Sequence, residues 1–179
     1  MTLKVPGKWL IVGLFLFLES ILVIIYNFHG DHDRATIAFA ATVVGSAFAL
    51  YTYLQGIEDR RTQKAHRFME RWTTPDMLEI RSVLIDVLED RIDPASLTRT
   101  DINKKEARLS IVSALNFFEE VSIAILEGAA NEDRLRDFFS AIAVQSFAKL
   151  EDWIKMERKI DNEPTYYIKF EMVTSRWKK

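Results

Sequence analysis

Cysteine is absent from all 179 residues, which removes disulfides, thiol catalysis and every zinc or iron centre built on thiolates. Histidine is scarce: of three in the chain, two sit in the short stretch His29–His32 and the third is His66. Glycine and proline number six and four, and no segment alternates apolar and polar residues as a half-buried strand does. No Walker loop, GxGxxG, HExxH or GxSxG occurs, so phosphate-loop, dinucleotide, zincin and esterase chemistries all lack their sequence parts. A net charge of −2 excludes a general polyanion binder and makes duplex nucleic acid an unexpected partner. No cofactor, metal or enzymatic activity is expected from this inventory.

What the chain has in quantity is apolar length. Residues 9–28 (WLIVGLFLFLESILVIIYNF) and 35–54 (ATIAFAATVVGSAFALYTYL) are each about 20 residues long, the span a helix needs to cross a hydrocarbon core of roughly 30 Å. Only residues 29–34 separate them, so the two helices are expected to run antiparallel as a membrane hairpin. The first run exceeds a signal-peptide core, carries Glu19 at its middle and lacks a small-residue cleavage site, and is therefore read as retained. Lys4 and Lys8 precede the first run and Arg60, Arg61, Lys64 and Arg67 follow the second, whereas the loop holds Asp31, Asp33 and Arg34. That asymmetry places both termini in the cytoplasm, in a multi-pass protein of the inner membrane. The expected division is a transmembrane hairpin over 1–55 and a cytoplasmic helical domain over 56–179.

Glu19 falls near mid-bilayer, where a carboxylate costs about 2.5–3.5 kcal/mol on the lenient insertion scale. Thr42 and Ser46 sit at similar depth on the second helix, so one reading has a protonated Glu19 hydrogen-bonding to either across the hairpin. The other has Glu19 lining a pore or proton path in an oligomer. Small residues repeat every four positions along the second run, as Ala41, Gly45 and Ala49 and as Ala38, Thr42 and Ser46. Such stripes favour close helix approach, and a homo-oligomer is expected. The loop HGDHD contains ligand-type side chains without a known metal spacing, and reads as a solvated turn.

Beyond Leu54 the helical pattern continues through Gly56 into IEDRRTQKAHRFMERW, so the second helix is expected to leave the membrane. Its basic collar, Arg60, Arg61, Lys64, His66, Arg67 and Arg71, reads either as an anchor to anionic headgroups or, ringed in a symmetric oligomer, as a site for a polyanionic nucleotide or RNA. Further helices follow. Pro75 opens one with Met77, Ile80, Val83, Leu84, Val87 and Leu88. Thr100 or Asp101 caps the next, with core positions Ile102, Leu109, Val112, Leu115, Phe118 and Ile125 and a stop at Gly128. Asn131 caps a long helix bearing Leu135, Phe138, Phe139, Ile142, Phe147, Leu150, Trp153 and Ile154, and Pro164 opens a last one with Tyr166, Tyr167, Phe170, Val173 and Trp177. The fold class is all-α. Asn116, Glu119 and Arg158 form the candidate polar cluster, with Glu119 expected on Arg158 or Arg81 and Glu120 facing water. Neighbouring helical residues point about 100° apart, so the two glutamates cannot converge on one atom.

The run Leu115-Asn116-Phe117-Phe118-Glu119-Glu120, the stretch Ile123 to Gly128, the Asn131-Glu132-Asp133 cap, Trp153, Arg158 and the closing Tyr167, Phe170 and Trp177 resemble the domain-of-unknown-function family numbered 4760. The resemblance covers about residues 60 to 178 and implies small bacterial membrane proteins with a helical cytoplasmic domain, without an activity to carry over. The layout also resembles CRISPR-associated membrane effectors that join a membrane hairpin to a helical sensor of cyclic tetra-adenylate. The expectation is thus a non-enzymatic oligomeric membrane sensor or antiviral effector that binds a cyclic oligonucleotide and perturbs or gates the bilayer. The alternative is a membrane-anchored scaffold docking a protein through Tyr167, Phe170 and Trp177.

Overall fold

In the computed structural model of the chain, residues 7–28 and 31–178 are described. Lys4 and His29 lie outside them, as do the side chains of Lys8, Asp31, His32, Asp33 and Arg34. The described residues form six α-helices and no strand: α1 (Gly7–Phe28), α2 (Asp31–Thr73), α3 (Asp76–Leu88), α4 (Lys105–Leu126), α5 (Glu132–Ile160) and α6 (Ile168–Trp177). One-turn 3-10 helices occupy Pro94–Ser96 and Ile102–Lys104 between α3 and α4. The chain divides into two compact units, Met1–Ile57 and Glu58–Lys179.

In the first unit, α1 has 22 residues, about 33 Å at 1.5 Å per residue. The expected six-residue loop is shorter, because Asp31 to Arg34 already wind into α2. Phe15 of α1 stacks on Phe48 of α2 with ring centroids 4.0 Å apart. Among the described residues, however, no hydrogen bond joins Glu19 to Thr42 or Ser46. The Thr42 hydroxyl donates instead to Ala38 O in its own helix, at 2.9 Å, as threonine does when no better acceptor is in reach. None of the most apolar window of α2 is buried, and Phe39, Val43, Leu50, Tyr53 and Leu54 stand exposed. A Cβ added at Gly45 would touch nothing within 4 Å, so the small-residue stripe is not used for close approach within the hairpin. Among the described residues two helices are long and apolar enough to cross a membrane, α2 and α4, but 56% of the α4 window is buried inside the protein, which makes α4 a core helix.

The second unit is built on an aromatic cluster shared by four helices. The latter half of α2 buries Ala65, Phe68 and Trp72, residues on one face at helical spacing. The Trp72 ring meets Phe117, Phe118 and Phe139 at centroid distances of 5.0, 5.2 and 5.9 Å. Phe118 of α4 stacks on Phe170 of α6 at 5.0 Å, and Phe147 of α5 meets the same ring edge-on at 5.4 Å. α3 packs on α4 and α5, and α6 packs between α4 and α5. The buried stripe of α4 is Ile111, Ala114, Leu115, Phe117, Phe118, Val121, Ala124 and Ile125. Ile102 and Leu109 are 76% and 49% exposed: Ile102 lies in the 3-10 turn ahead of the helix, so it falls outside the α4 period. Phe138 likewise faces outward beside the buried Phe139.

Three helices end alike. The amides of Arg91, Ala129 and Glu163 donate to the carbonyls of Asp86, Ala124 and Arg158, each spanning a residue at positive φ: Asp90, Gly128 and Asn162. These are Schellman caps, which need a left-handed residue at that point. Asn131 caps α5 by accepting from Arg134 N at 3.1 Å. Its amide nitrogen donates to Glu58 at 2.6 Å and its backbone N to Arg61 O at 3.1 Å, tying α5 to α2. Pro164 does not open α6, which begins at Ile168 after a turn.

Candidate functional site

The basic collar separates into members with different tasks. At about 100° per residue, Arg60, Lys64, Arg67 and Arg71 fall within roughly 60° of one another on α2, beside the buried Ala65–Phe68–Trp72 face, whereas His66 points well away from that stripe. Arg71 is taken up by structure: its guanidinium forks onto Glu120 at 3.2 and 2.6 Å and lies 4.8 Å from the Phe117 centroid. Glu120 is therefore paired rather than only solvated. Arg61 bonds Glu58 at 3.3 Å within its own helix. Arg60, Lys64, His66 and Arg67 are exposed, and among the described residues no carboxylate pairs with them.

The expected cluster of Asn116, Glu119 and Arg158 is split. Glu119 meets neither Arg158 nor Arg81; its oxygens accept from the backbone N–H of Lys169 and Phe170 at 3.2 and 2.7 Å. A carboxylate there complements the first-turn donors and the positive end of α6. Arg158 instead donates to Tyr166 O at 2.9 and 2.7 Å and to Glu171 at 2.8 Å, which fastens the α5–α6 turn. Phe170 and Trp177 are 1% and 8% exposed and belong to the core, whereas Tyr167 is half-buried at its edge.

Asn116 and Glu119 do share a cavity of about 450 Å³, and with them are Arg99, Arg108, Glu157 and Asp161. Arg99, from the loop before α4, forks onto Glu157 at 3.1 and 2.5 Å and onto Asp161 at 2.7 and 2.6 Å. Arg108 of α4 donates to the same Glu157 Oε2 at 2.8 Å and lies 5.8 Å from the Trp153 ring. Glu157 is 4% exposed, and a buried carboxylate persists only when paired. Its other oxygen, Oε1, has no partner, and neither has Arg108 Nε. Asp161 is held below the usual carboxylate range by the hydrogen bonds from Arg99. Burial, reinforced by the Glu157 charge, pushes the Tyr167 hydroxyl up to about 12. Tyr167 adopts φ 57°, a left-handed conformation that costs an aromatic residue about 1–2 kcal/mol, held where the α5–α6 turn meets the cavity.

Four of these residues, Arg99, Arg108, Glu157 and Asp161, belong to no motif in the sequence. A signal existed: Glu157 continues the Leu150, Trp153, Ile154 spacing of the buried α5 face, and a charge at a core position demands a partner. Among the described residues no group of histidines and carboxylates could hold a metal ion.

A family model described as Domain of unknown function (DUF4760) matches residues 37–177, beginning inside α2 and ending at the last residue of α6. No curated protein and no solved structure matches the chain.

Proposed function

We propose a function from the premise that the chain belongs to the DUF4760 family of domains of unknown function: it is a non-catalytic, homo-oligomeric protein of the cytoplasmic membrane whose helical domain binds a phosphate-bearing ligand and acts back on the bilayer. The observation that carries the reading is the sequence of surfaces along α2. An apolar stretch with none of its window buried is followed by Arg60, Lys64 and Arg67, exposed and without a carboxylate partner among the described residues. Lipid is the solvent that accommodates the first, and phosphate oxygens are the natural complement of the second. Oligomerisation is supported by the exposed Ala38, Thr42 and Ser46, a small-residue face left open for a neighbouring copy. A symmetric ring of such stripes suits a cyclic oligoadenylate, the ligand of an antiviral effector, while a single stripe suits headgroups. Catalysis draws no support from the cavity, because Arg99, Arg108 and Asp161 are engaged in ion pairs and Tyr167 ionises only at strongly alkaline pH. Phe170 and Trp177 lie in the core, so a scaffold would have to dock its partner elsewhere on the helical domain.

The test uses the full chain in nanodiscs. Calorimetry with cyclic tetra-adenylate in neutral phosphatidylcholine discs, at low salt, should give binding that weakens with ionic strength and is lost in the Arg60→Ala, Lys64→Ala, Arg67→Ala variant. Flotation on vesicles with and without phosphatidylglycerol separates the headgroup source of the same chemistry. Absence of both nucleotide binding and anionic-lipid dependence refutes the assignment of the stripe. Release of the protein from membranes by alkaline carbonate refutes the hairpin.

A further inference from the structure

The cavity at Glu157 is a site of a different kind from the cationic stripe on α2. We propose that it binds a small organic cation, a protonated primary amine that also carries a neutral oxygen. Three observations lead there, and none depends on the stripe.

The first is charge. Glu119, Glu157 and Asp161 line the space against only Arg99 and Arg108, an excess of one negative charge. The second is that Arg99 is fully committed and Arg108 already serves Glu157 through one terminal nitrogen. Arg99 spends Nε and both terminal nitrogens on Glu157 and Asp161, and Arg108 donates to Glu157 at 2.8 Å. An anion entering the cavity would meet one unpartnered donor, Arg108 Nε, and otherwise only nitrogens already spent on Glu157 and Asp161; drawing either guanidinium away would leave Glu157 uncompensated in a buried position. A cation meets the surplus directly. The third is an unfilled hydrogen-bond position. Glu157 Oε1 lacks a donor in a residue 4% exposed, and a buried acceptor left without a donor is destabilising. An ammonium that donates to Oε1 leaves in place the bonds that Oε2 accepts from Arg99 and Arg108. Arg108 Nε, a donor likewise without a partner, takes a hydroxyl oxygen of the same molecule.

Trp153, Tyr166 and Tyr167 supply aromatic wall, and ring faces attract cations. The volume of about 450 Å³ lies within the range of small-molecule sites. The chemical class is therefore an amine with a hydroxyl, of about the size of a hydroxylated phenethylamine.

The experiment uses three near-isosteric probes on the full chain in neutral nanodiscs, by calorimetry at pH 7: tyramine, its alcohol analogue tyrosol and the anion 4-hydroxyphenylacetate. Tyramine is expected to bind at least tenfold more tightly than either of the others. Glu157→Gln should lose most of that preference, but it removes a buried charge that the fold uses. Leu109→Arg serves as the second variant, because Leu109 lines the cavity and is 49% exposed, so it adds a positive charge to the wall without disturbing the core. It should weaken tyramine at least tenfold with an unchanged helical spectrum. Equal binding of the three probes, preference for the anion, no binding of tyramine, or indifference to Leu109→Arg would each overturn the assignment. Nucleotide or lipid binding at the α2 stripe would survive every one of those outcomes.

Discussion

Replacing Glu119 by alanine should loosen α6 and little else. The carboxylate accepts from Lys169 N and Phe170 N at 3.2 and 2.7 Å, and α6 has no side-chain cap of its own, since Tyr167 precedes it in a left-handed conformation. Losing a side-chain cap costs about 0.5–2 kcal/mol, and losing a negative charge at a helix N-terminus costs about 0.3–1 kcal/mol more. The expected loss is about 2 kcal/mol, carried by a helix of 10 residues, or roughly thirtyfold in its local opening equilibrium. Hydrogen–deuterium exchange of the full chain in detergent reads this directly: amides from Phe170 to Trp177 should exchange roughly thirtyfold faster, while those of α4 around Phe117 keep their protection. Glu119→Gln retains an acceptor oxygen without the charge and should fall between the two. If exchange in α6 is unchanged in the alanine variant, the carboxylate is not the cap, and α6 is held by Phe170, Val173 and Trp177 alone.

Trp72→Ala removes a ring that meets Phe117, Phe118 and Phe139 and should cost about 3–5 kcal/mol, read as a fall in the midpoint of urea unfolding with an unchanged slope. Gly128→Ala puts a Cβ on a residue at φ 66° where nothing crowds it, so only conformational strain of about 1 kcal/mol should appear; a neutral result would mean that the end of α4 unwinds. Asp161 has its folded pKa depressed by Arg99, so its contribution to stability is present above the unfolded value of about 3.9 and is lost as pH falls through the lower folded value. Asp161→Asn should accordingly flatten the acid limb of the stability profile below about pH 4, and an unaltered limb would show the pair to be inactive in solution. Glu19→Gln should leave ion flux through proteoliposomes unchanged if the glutamate is only accommodated by the hairpin; abolished flux would make it pore-lining.

Periodicity and punctuation made much of the architecture legible. The two apolar runs, the continuation of the second through Gly56, the Asn131 cap and the stop at Gly128 are all local matters: a side chain and its own backbone decide them, and the sequence contains both partners. The all-α class and the family follow from the same information. Misreadings occurred where two signals overlapped. Ile102 and Leu109 fit an extended α4 stripe, but the Asp101 cap begins a 3-10 turn and shifts the phase, leaving Ile102 exposed and Leu109 at the rim of the cavity. Pro164 fits a helix start, yet Asn162 and Tyr167, both at positive φ, hold the chain in a turn until Ile168.

The amino-acid order alone indicated most of the helices, the apolar face of each, and that α2 is long and apolar enough to cross a membrane. Side-chain pairing across the fold was decided only by the tertiary structure. Glu119 found the amides of α6 rather than an arginine, Arg71 found Glu120, and Arg99, Arg108, Glu157 and Asp161 met in one cavity although they lie up to 62 positions apart. The physical reason is that a charged group chooses its partner by distance and burial. Both are properties of packed helices, and neither is encoded within any window short enough to read along the chain.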